Sequence, residues 1–176
     1  MIATRRQALW AGGGFLAALM LRPTPLLAAD TLEIVMHGTP DGSHVWFDPV
    51  GILVQPGQTI RWTNRDAGNS HTVTSYDPSL FDRPRRIPQG AKPWDSDYLL
   101  PDESFSLTLT VPGVYDYYCV PHEHAGMVGR IVVGTPGPEA ANYANAGAGL
   151  TELPEIALAG FPDVAAIMAA GTVRRG

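Results

Sequence analysis

The sequence predicts an all-β Greek-key β-sandwich of seven or eight strands with a short helical C-terminal tail. The chain holds 19 glycines and 16 prolines in 176 residues, a content that favours many short strands joined by turns. From residue 31 onward, short runs of alternating apolar and polar residues are separated by clusters of turn-forming residues. Strands of this length and number suit a two-sheet Greek-key sandwich.

The first 29 residues are predicted to be an export signal of the twin-arginine type, and we exclude them from the fold. Arg5 and Arg6 precede a stretch rich in Gly, Ala and Leu that runs to residue 21. A membrane-spanning helix needs about 20 apolar residues, and this stretch is shorter and rich in glycine. We therefore expect a mature chain that starts near Asp30, is periplasmic or otherwise exported across the cytoplasmic membrane, and has no stable membrane insertion.

Charge limits the partners of the mature chain. The full chain has a formal charge of −5, and the signal carries three arginines and no acids, so its removal leaves −8. An acidic exported domain is a poor match for nucleic acid and a better match for protein partners. Arg83, Arg85 and Arg86 form a basic cluster within this acidic chain. The cluster is interpreted either as a docking patch for an acidic partner or as a solvated loop.

The first half of the domain contains three predicted strands. Residues 31–37 alternate apolar and polar side chains, as a strand with one face on a core does. Residues 45–54 form a second apolar run, and residues 59–64 follow after a Pro-Gly turn. Asp66 begins a small polar turn that leads to His71, which opens the next strand.

The second half begins with a long connection and ends with strands and a helix. Residues 76–101 carry five prolines without strand periodicity and are expected to form a long surface loop. Three further strands are expected over residues 105–111, 114–119 and 128–134. Residues 161–170 have the apolar spacing of an amphipathic helix. The predicted organisation is therefore a signal at 1–29, one domain at 30–134 and a partly helical extension at 135–176.

One segment concentrates residues that bind metals. The only cysteine, Cys119, begins the sequence C-V-P-H-E-H-A-G-M, so it cannot form an internal disulfide. His122 follows at plus three and Met127 at plus eight. A thiolate, an imidazole and a thioether are soft ligands that favour copper over hard cations. His71 is the candidate for a second imidazole.

These residues resemble the blue (type 1) copper cupredoxins of the plastocyanin and pseudoazurin type. The resemblance rests on His71, on the segment from Cys119 to Met127, on W-F-D-P upstream and on P-G-V-Y-D-Y-Y-C before the cysteine; it covers residues 31–134. It implies that His71, Cys119, His122 and an axial Met127 bind one copper ion. Azurin-like spacing would place the methionine at plus nine, which is Val128, and amicyanin-like spacing at plus six, which is Ala125.

The resemblance implies a one-electron carrier between redox partner proteins, and not an enzyme. Two alternatives stay open. A copper carrier or storage protein without redox cycling is suggested by the additional His124 beside the ligands. A redox enzyme would need a further histidine cluster, whereas His37, His44 and His124 are scattered singly. We expect His124 to face solvent near the metal, and His37 and His44 to lie at the surface.

Three more expectations concern the neighbours of the ligands. The backbone N–H of Thr72 is expected to point at the Cys119 sulfur; cupredoxins often have Asn here, so a side-chain contribution from Thr72 stays open. Tyr118 is either an exposed route for electrons, as the resemblance implies, or an aromatic residue that covers a sheet face. Tyr115 and Tyr117 share the parity of Cys119 in the strand and are expected in the core.

Overall fold

A computed structural model describes residues 31–137 and 153–175. Nine strands, one 3₁₀ helix and two α-helices are found in these ranges. The predicted signal and the first part of the extension lie outside the described residues. The strands are β1 Leu32–Gly38, β2 Val45–Asp48, β3 Gly51–Val54, β4 Thr59–Asn64, β5 Thr74–Ser75, β6 Ser104–Thr108, β7 Gly113–Tyr118, β8 Val128–Val133 and β9 Thr172–Val173; the helices are the 3₁₀ helix Val120–Ala125, α1 Glu155–Gly160 and α2 Val164–Ala170.

The strands form two sheets that pack face to face, so the predicted β-sandwich is confirmed. The first sheet has the order β2-β1-β4-β6 and the second β5-β7-β8-β3-β9. β1 pairs with β4 and β3 with β8 in parallel, and the other pairs are antiparallel. The ninth strand comes from the C-terminal extension, where the sequence predicted helix alone. None of the helices in the described ranges is long and apolar enough to span a membrane.

The predicted strand at residues 45–54 is two strands that belong to different sheets. β2 pairs with β1, whereas β3 pairs with β8 on the other side of the core. Between them lies Pro49, which cannot donate a backbone hydrogen bond and therefore suits the crossing from one sheet to the other. Phe47 and Ile52, on either side of the break, are both buried in the main core.

The main core lies between the sheets and contains the aromatic residues that the parity of β7 predicted. Tyr115 and Tyr117 are buried there, as expected, together with Cys119. The ring of Tyr117 packs edge-on against Phe47 and Trp62. It fits because residue 129 on the paired strand is glycine: a Cβ at this position would lie 2.3 Å from the Tyr117 ring.

The outer face of the second sheet is covered by the C-terminal segment, which explains why β7 and β8 are buried on both faces. Val114 and Val132 point outward and pack against Ile167 of α2. Tyr118 and Val128 do the same against a cluster that includes Ala157 of α1. The segment then ends as β9, which pairs with β3. The described part of the extension is therefore integrated into the domain.

The helical tail differs in detail from its prediction. Instead of one helix at residues 161–170, two short helices flank Phe161, Pro162 and Asp163. The buried residue of α2 is Ile167, whereas Met168, which the periodicity placed on the apolar face, is exposed. The bend places the Phe161 ring beneath the guanidinium groups of Arg86 and Arg130, at 4.9 and 5.1 Å. The bend is thus accompanied by contact with two arginines that lie outside the tail.

The connection at residues 76–101 contains no regular strand, as its prolines suggested, but only part of it lies at the surface. Tyr76, Ile87 and Trp94 are buried, and two isolated bridges join the connection to the strand region, His71 to Leu99 and Thr74 to Asp95. The segment therefore runs beside the short β5 along one edge of the second sheet. Proline-rich chain can do this because its backbone groups bond singly rather than in a continuous ladder.

A buried ion cluster links this connection to β7 and β8. The carboxylate of Asp116 is fully buried and accepts hydrogen bonds from Arg86 Nε at 2.8 Å and from Arg130 Nε at 2.7 Å. Arg130 also donates to the backbone oxygen of Pro162 at 2.7 Å, which ties the tail to the cluster. Removing one partner of a buried ion pair leaves an uncompensated charge in the interior.

We predict that Asp116→Asn lowers the free energy of unfolding of the apoprotein by about 3–5 kcal/mol, because two buried guanidinium groups lose their counter-charge. Urea denaturation of the metal-free protein measures this without the stabilisation that bound ligand adds. Asp97→Asn is the matched control, since Asp97 is exposed and asparagine tolerates its φ of 56°. Equal losses in the two variants would contradict a structural role for the cluster.

Candidate metal centre

The loop from Cys119 to Met127, which we call the ligand loop, connects two strands that pair up to its base. Tyr118 and Val128 are the last partners of the β7–β8 ladder. Beyond them the Cys119 N–H donates to the Met127 oxygen at 3.0 Å, and the Met127 N–H donates to the His122 oxygen at 3.1 Å. Gly126 has a φ of 74°, which turns the chain back toward β8 at the end of the 3₁₀ helix. The loop is therefore closed by its own backbone.

His71 reaches the ligand loop from the neighbouring chain segment. Its N–H donates to the Leu99 oxygen at 3.1 Å and its oxygen accepts from the Leu99 N–H at 2.8 Å. This bridge fixes the backbone of His71 outside any regular strand, where the sequence predicted a strand start. The connection at residues 76–101 thus positions one of the candidate ligands.

Three donor atoms converge at one point. The distance is 3.2 Å from His71 Nδ1 to His122 Nδ1, 3.6 Å from His71 Nδ1 to Cys119 Sγ and 3.4 Å from His122 Nδ1 to Cys119 Sγ. The centre of such a nearly equilateral triangle lies about 2 Å from each corner, close to typical metal–donor bond lengths of 2.0–2.3 Å. The predicted His–Cys–His set is therefore brought together in a geometry that fits a metal ion.

Met127, the fourth predicted residue, is fully buried in the same core cluster as Cys119. Its backbone bonds to both Cys119 and His122 hold it at the closing end of the ligand loop. Two imidazoles, a thiol and a thioether are the donor types of a blue-copper site. His71, Cys119, His122 and Met127 are thus positioned as a type 1 copper site.

Burial sets the protonation of the three donors. It lowers the pKa of both His71 and His122, so that both rings are neutral and can bind a metal at neutral pH. It raises the pKa of the Cys119 thiol to about 11, despite the backbone N–H groups that would lower it. A buried thiolate therefore needs a cation beside it, and metal binding releases the thiol proton.

Thr72 contacts the cysteine ligand as predicted, and its side chain contributes as well. The Thr72 N–H points at Cys119 Sγ at 3.3 Å. Its hydroxyl accepts a hydrogen bond from the Val120 N–H at 2.8 Å and lies 2.9 Å from the hydroxyl of Thr74. Threonine at this position therefore still connects the segment after His71 to the start of the ligand loop.

Asp66 contacts the far side of the His71 ring. Its Oδ2 lies 3.0 Å from His71 Nε2, and both side chains are buried. The sequence placed Asp66 in a small polar turn, because nothing in the pattern D-A-G-N-S distinguishes a buried carboxylate from a solvated one. The five-residue separation from His71 is the only signal, and it is too common to be specific.

Glu123 is a second buried carboxylate that the sequence analysis missed. It lies within the ligand loop between His122 and His124 and is 1% exposed. It accepts a hydrogen bond from the Tyr76 hydroxyl at 2.9 Å and is paired with Arg83. These contacts anchor the ligand loop to the connection at residues 76–101.

The three arginines of the basic cluster are each paired with an acid of the same chain. Arg83 pairs with the buried Glu123, Arg85 with Asp77 and Arg86 with Asp116. Arg86 is only 1% exposed. The prediction of a solvated loop is therefore wrong for Arg86, whereas the Arg85 side chain remains 44% exposed. A run of three arginines in an acidic chain indicated cations near the surface, but the sequence did not show the buried acids that they meet.

The Tyr118 side chain is buried, so the prediction that it provides an exposed route for electrons is wrong. Its ring is 1% exposed, stacks on Tyr76 with centroids 4.3 Å apart, and lies under Arg83. Tyr118 covers a face of the second sheet, as the alternative interpretation held, and the C-terminal segment packs over Tyr118.

The remaining histidines lie outside the donor set. His124 is exposed, as predicted, and so is His44. His37 is half-buried and stacks on Trp46 with ring centroids 5.3 Å apart. Among the residues that the structure describes, the donors of His71, Cys119 and His122 form the single group of candidate metal ligands.

The chain matches a family of copper-binding proteins and several plastocyanins. Copper-binding proteins of the plastocyanin/azurin family match at residues 34–134. Chloroplastic plastocyanin from Oryza sativa subsp. indica is 38% identical over 122 residues, 66% of this chain and 73% of the relative. Chloroplastic plastocyanin from Hordeum vulgare is 41% identical over 97 residues, 53% of this chain and 57% of the relative.

Solved structures agree with the fold. A pseudoazurin from Sinorhizobium is 29% identical, with a TM-score of 0.51 over 73% of this chain and 91% of that structure. A pseudoazurin from Methylobacterium extorquens AM1 shares the fold at 23% identity, with a TM-score of 0.52 over 66% of this chain and 85% of that structure. Since the family match spans more than half of the sequence and contains all four candidate ligands, this chain belongs to the plastocyanin/azurin family of copper-binding proteins.

Proposed function

We propose that His71, Cys119, His122 and axial Met127 bind one type 1 copper ion, and that the protein carries single electrons between redox partner proteins. The observation that supports this most directly is the triangle of donor atoms with sides of 3.2, 3.6 and 3.4 Å, formed by two histidines and the only cysteine. Bound copper would supply a one-electron couple between Cu(II) and Cu(I).

The chain's own residues hold the donors in place before metal arrives. His71 is fixed by the backbone bridge to Leu99 and by Asp66. The Cys119 sulfur is held by the Thr72 N–H. The ligand loop is closed by backbone hydrogen bonds and anchored through Glu123. Donors that keep their positions in both oxidation states lower the cost of rearrangement on electron transfer.

Electron exchange is proposed at the His122 side of the centre. Among the three donors His71 and Cys119 are 0% exposed, whereas His122 is half-buried and reaches the surface. The other candidate route, through Tyr118, is closed by Tyr76 and the C-terminal segment. A partner protein would therefore dock over the His122 end of the sandwich.

Copper storage without redox cycling is the second candidate function. The exposed His124, two residues after His122, favours it, since an accessible imidazole could receive or release copper. A multicopper enzyme needs ligands for a catalytic copper, and His37, His44 and His124 are separate from one another in sequence and partly engaged elsewhere. We propose no substrate chemistry for this chain.

The proposed compartment is the periplasm or another exported location. Support comes from the twin-arginine pattern and the apolar stretch of residues 1–29, with residues 30–134 as the copper domain and 135–176 as an extension.

We predict an intense visible absorption band, from thiolate-to-Cu(II) charge transfer, when the purified protein is loaded with Cu(II). Cys119→Ala removes the thiolate and is expected to abolish the band, while His124→Ala should retain it. Optical spectra of the three loaded proteins at equal copper content measure this. A wild-type protein that binds copper without such a band would contradict a type 1 site.

We further predict that the copper-loaded protein is reduced and reoxidised repeatedly by small redox reagents with its metal retained. The buried, preformed donor set should hold Cu(I) as well as Cu(II). Copper content after each half-cycle, measured following dialysis against a Cu(I) chelator, separates the two candidate functions. Retention within experimental error supports the electron carrier, whereas loss of most of the copper on reduction would support the storage protein.

A further inference from the structure

We propose that Asp66 is a positioning residue for His71, and that its buried negative charge favours Cu(II) over Cu(I) and so lowers the reduction potential of the centre. The inference rests on the proposed function in one respect, that His71 is a copper ligand. It adds a determinant of the potential at a residue outside the ligand set.

The first step is the geometry of the His71 ring. Nδ1 faces His122 Nδ1 at 3.2 Å and Cys119 Sγ at 3.6 Å, while Nε2 faces Asp66 Oδ2 at 3.0 Å. A neutral imidazole carries one proton, and a carboxylate can only accept a hydrogen bond. The proton therefore lies on Nε2, which leaves the Nδ1 lone pair directed at the other donors. Asp66 thus selects both the tautomer and the orientation of the ring.

The second step is that the carboxylate itself is held in a built position. Its Oδ1 accepts from the Gly68 N–H at 2.9 Å, and its Oδ2 accepts from Asn69 Nδ2 at 2.8 Å. The Asp66 N–H donates to Asn64 Oδ1 at 2.9 Å, and Asn64 in turn donates to the Leu99 oxygen at 2.9 Å. Because Leu99 also bridges to the His71 backbone, one hydrogen-bonded unit contains the carboxylate and its target.

The cradle depends on the absence of a side chain at residue 38. A Cβ at Gly38, the last residue of β1, would lie 1.9 Å from Asp66 Oδ2 and 2.4 Å from its Cγ. Any other residue at this position would displace the carboxylate from His71. The space that glycine leaves is filled by Asp66.

The third step concerns charge. Hydrogen bonds from the Gly68 N–H, the Asn69 amide and the His71 ring stabilise the ionised carboxylate at a site where only 4% of the residue is exposed. The described donors to this carboxylate are two amides and an imidazole, and none of them carries a full positive charge when the ring is neutral. The negative charge of Asp66 therefore acts on the donor set, which lies on the other side of the His71 ring.

The consequence is a preference between oxidation states. A carboxylate that accepts the Nε2 proton raises the basicity of the imidazole and makes it a better ligand. A nearby negative charge also stabilises the doubly charged ion more than the singly charged one. Both effects act in the same direction, toward Cu(II), and both disappear when the side chain becomes a neutral amide.

The experiment compares Asp66→Asn with wild type by redox titration of the copper-loaded proteins. We expect the ratio of Cu(II) to Cu(I) affinity to fall about tenfold, which corresponds to a rise of about 59 mV for a one-electron couple. The visible band should persist, since the ligands are unchanged. Asp97→Asn is the control, because it removes one exposed charge from the same connection that contacts His71. A shift no larger than that of the control, or of opposite sign, would overturn the proposal.

The Asp66→Asn variant could lose stability, because its amide N–H₂ would face the Gly68 N–H. A second measurement therefore uses the wild-type protein, with no substitution and no copper. Nitrogen-15 NMR of the wild-type apoprotein, labelled at histidine, identifies the His71 tautomer directly. We expect a protonated Nε2 protected from exchange with water; a protonated Nδ1, or an Nε2 proton in rapid exchange, would overturn the proposal even where the variant does not fold.

The two measurements also separate this inference from the proposed function. A wild-type protein without the charge-transfer band or reversible reduction would refute the electron carrier, and the NMR result would still test the contact between Asp66 and His71. A wild type that behaves as a type 1 protein, with an Asp66→Asn variant of unchanged potential, would leave the proposed function intact and reject the role of Asp66.

Discussion

The centre depends on one backbone constraint, the closure of the ligand loop at its base. The β7–β8 ladder ends with Tyr118 paired to Val128, and the next hydrogen bond runs from the Cys119 N–H to the Met127 oxygen. The first and last residues of the loop are thereby fixed next to each other by the sheet itself. Of the seven residues between them, six form a 3₁₀ helix that is kinked at His122, and Gly126 ends it. The sheet, rather than the metal, sets the positions of the loop donors, and the remaining elements place His71 against them.

The success of each prediction from the sequence depends on how far apart the interacting residues lie along the chain. The spacing of Cys119, His122 and Met127 is a local property of one short loop, and it identified these candidates from the chain alone. His71 was identified through family resemblance, since 48 residues separate it from Cys119. The parity of β7 correctly predicted that Tyr115 and Tyr117 enter the core, because alternation is a property of any strand.

The errors share one physical cause, contacts between segments that are distant in the sequence. Proline content marked residues 76–101 as a surface loop, yet parts of the segment are buried, where Arg86 meets Asp116 and Leu99 bridges to His71. Tyr118 has the parity of an outward-facing residue, and it does point away from the core. Tyr76 stacks on it and α1, some 40 residues later, belongs to the same buried cluster; no local pattern reports either contact. Burial on the second face of a sheet is decided by the whole chain.

The two buried carboxylates beside the centre are distinguished by their partners, and this difference decides what each can do. Glu123 is paired with Arg83, so its charge is neutralised within the protein and its contribution is to anchor the ligand loop. Asp66 is held by the Gly68 amide, the Asn69 amide and the ring of His71, none of which carries a full positive charge when the ring is neutral. Two buried acids therefore have different electrostatic effects on the donor set. A positive charge added to the fold, such as a copper ion beside His71, is stabilised by Asp66, whereas Glu123 already has its counter-charge.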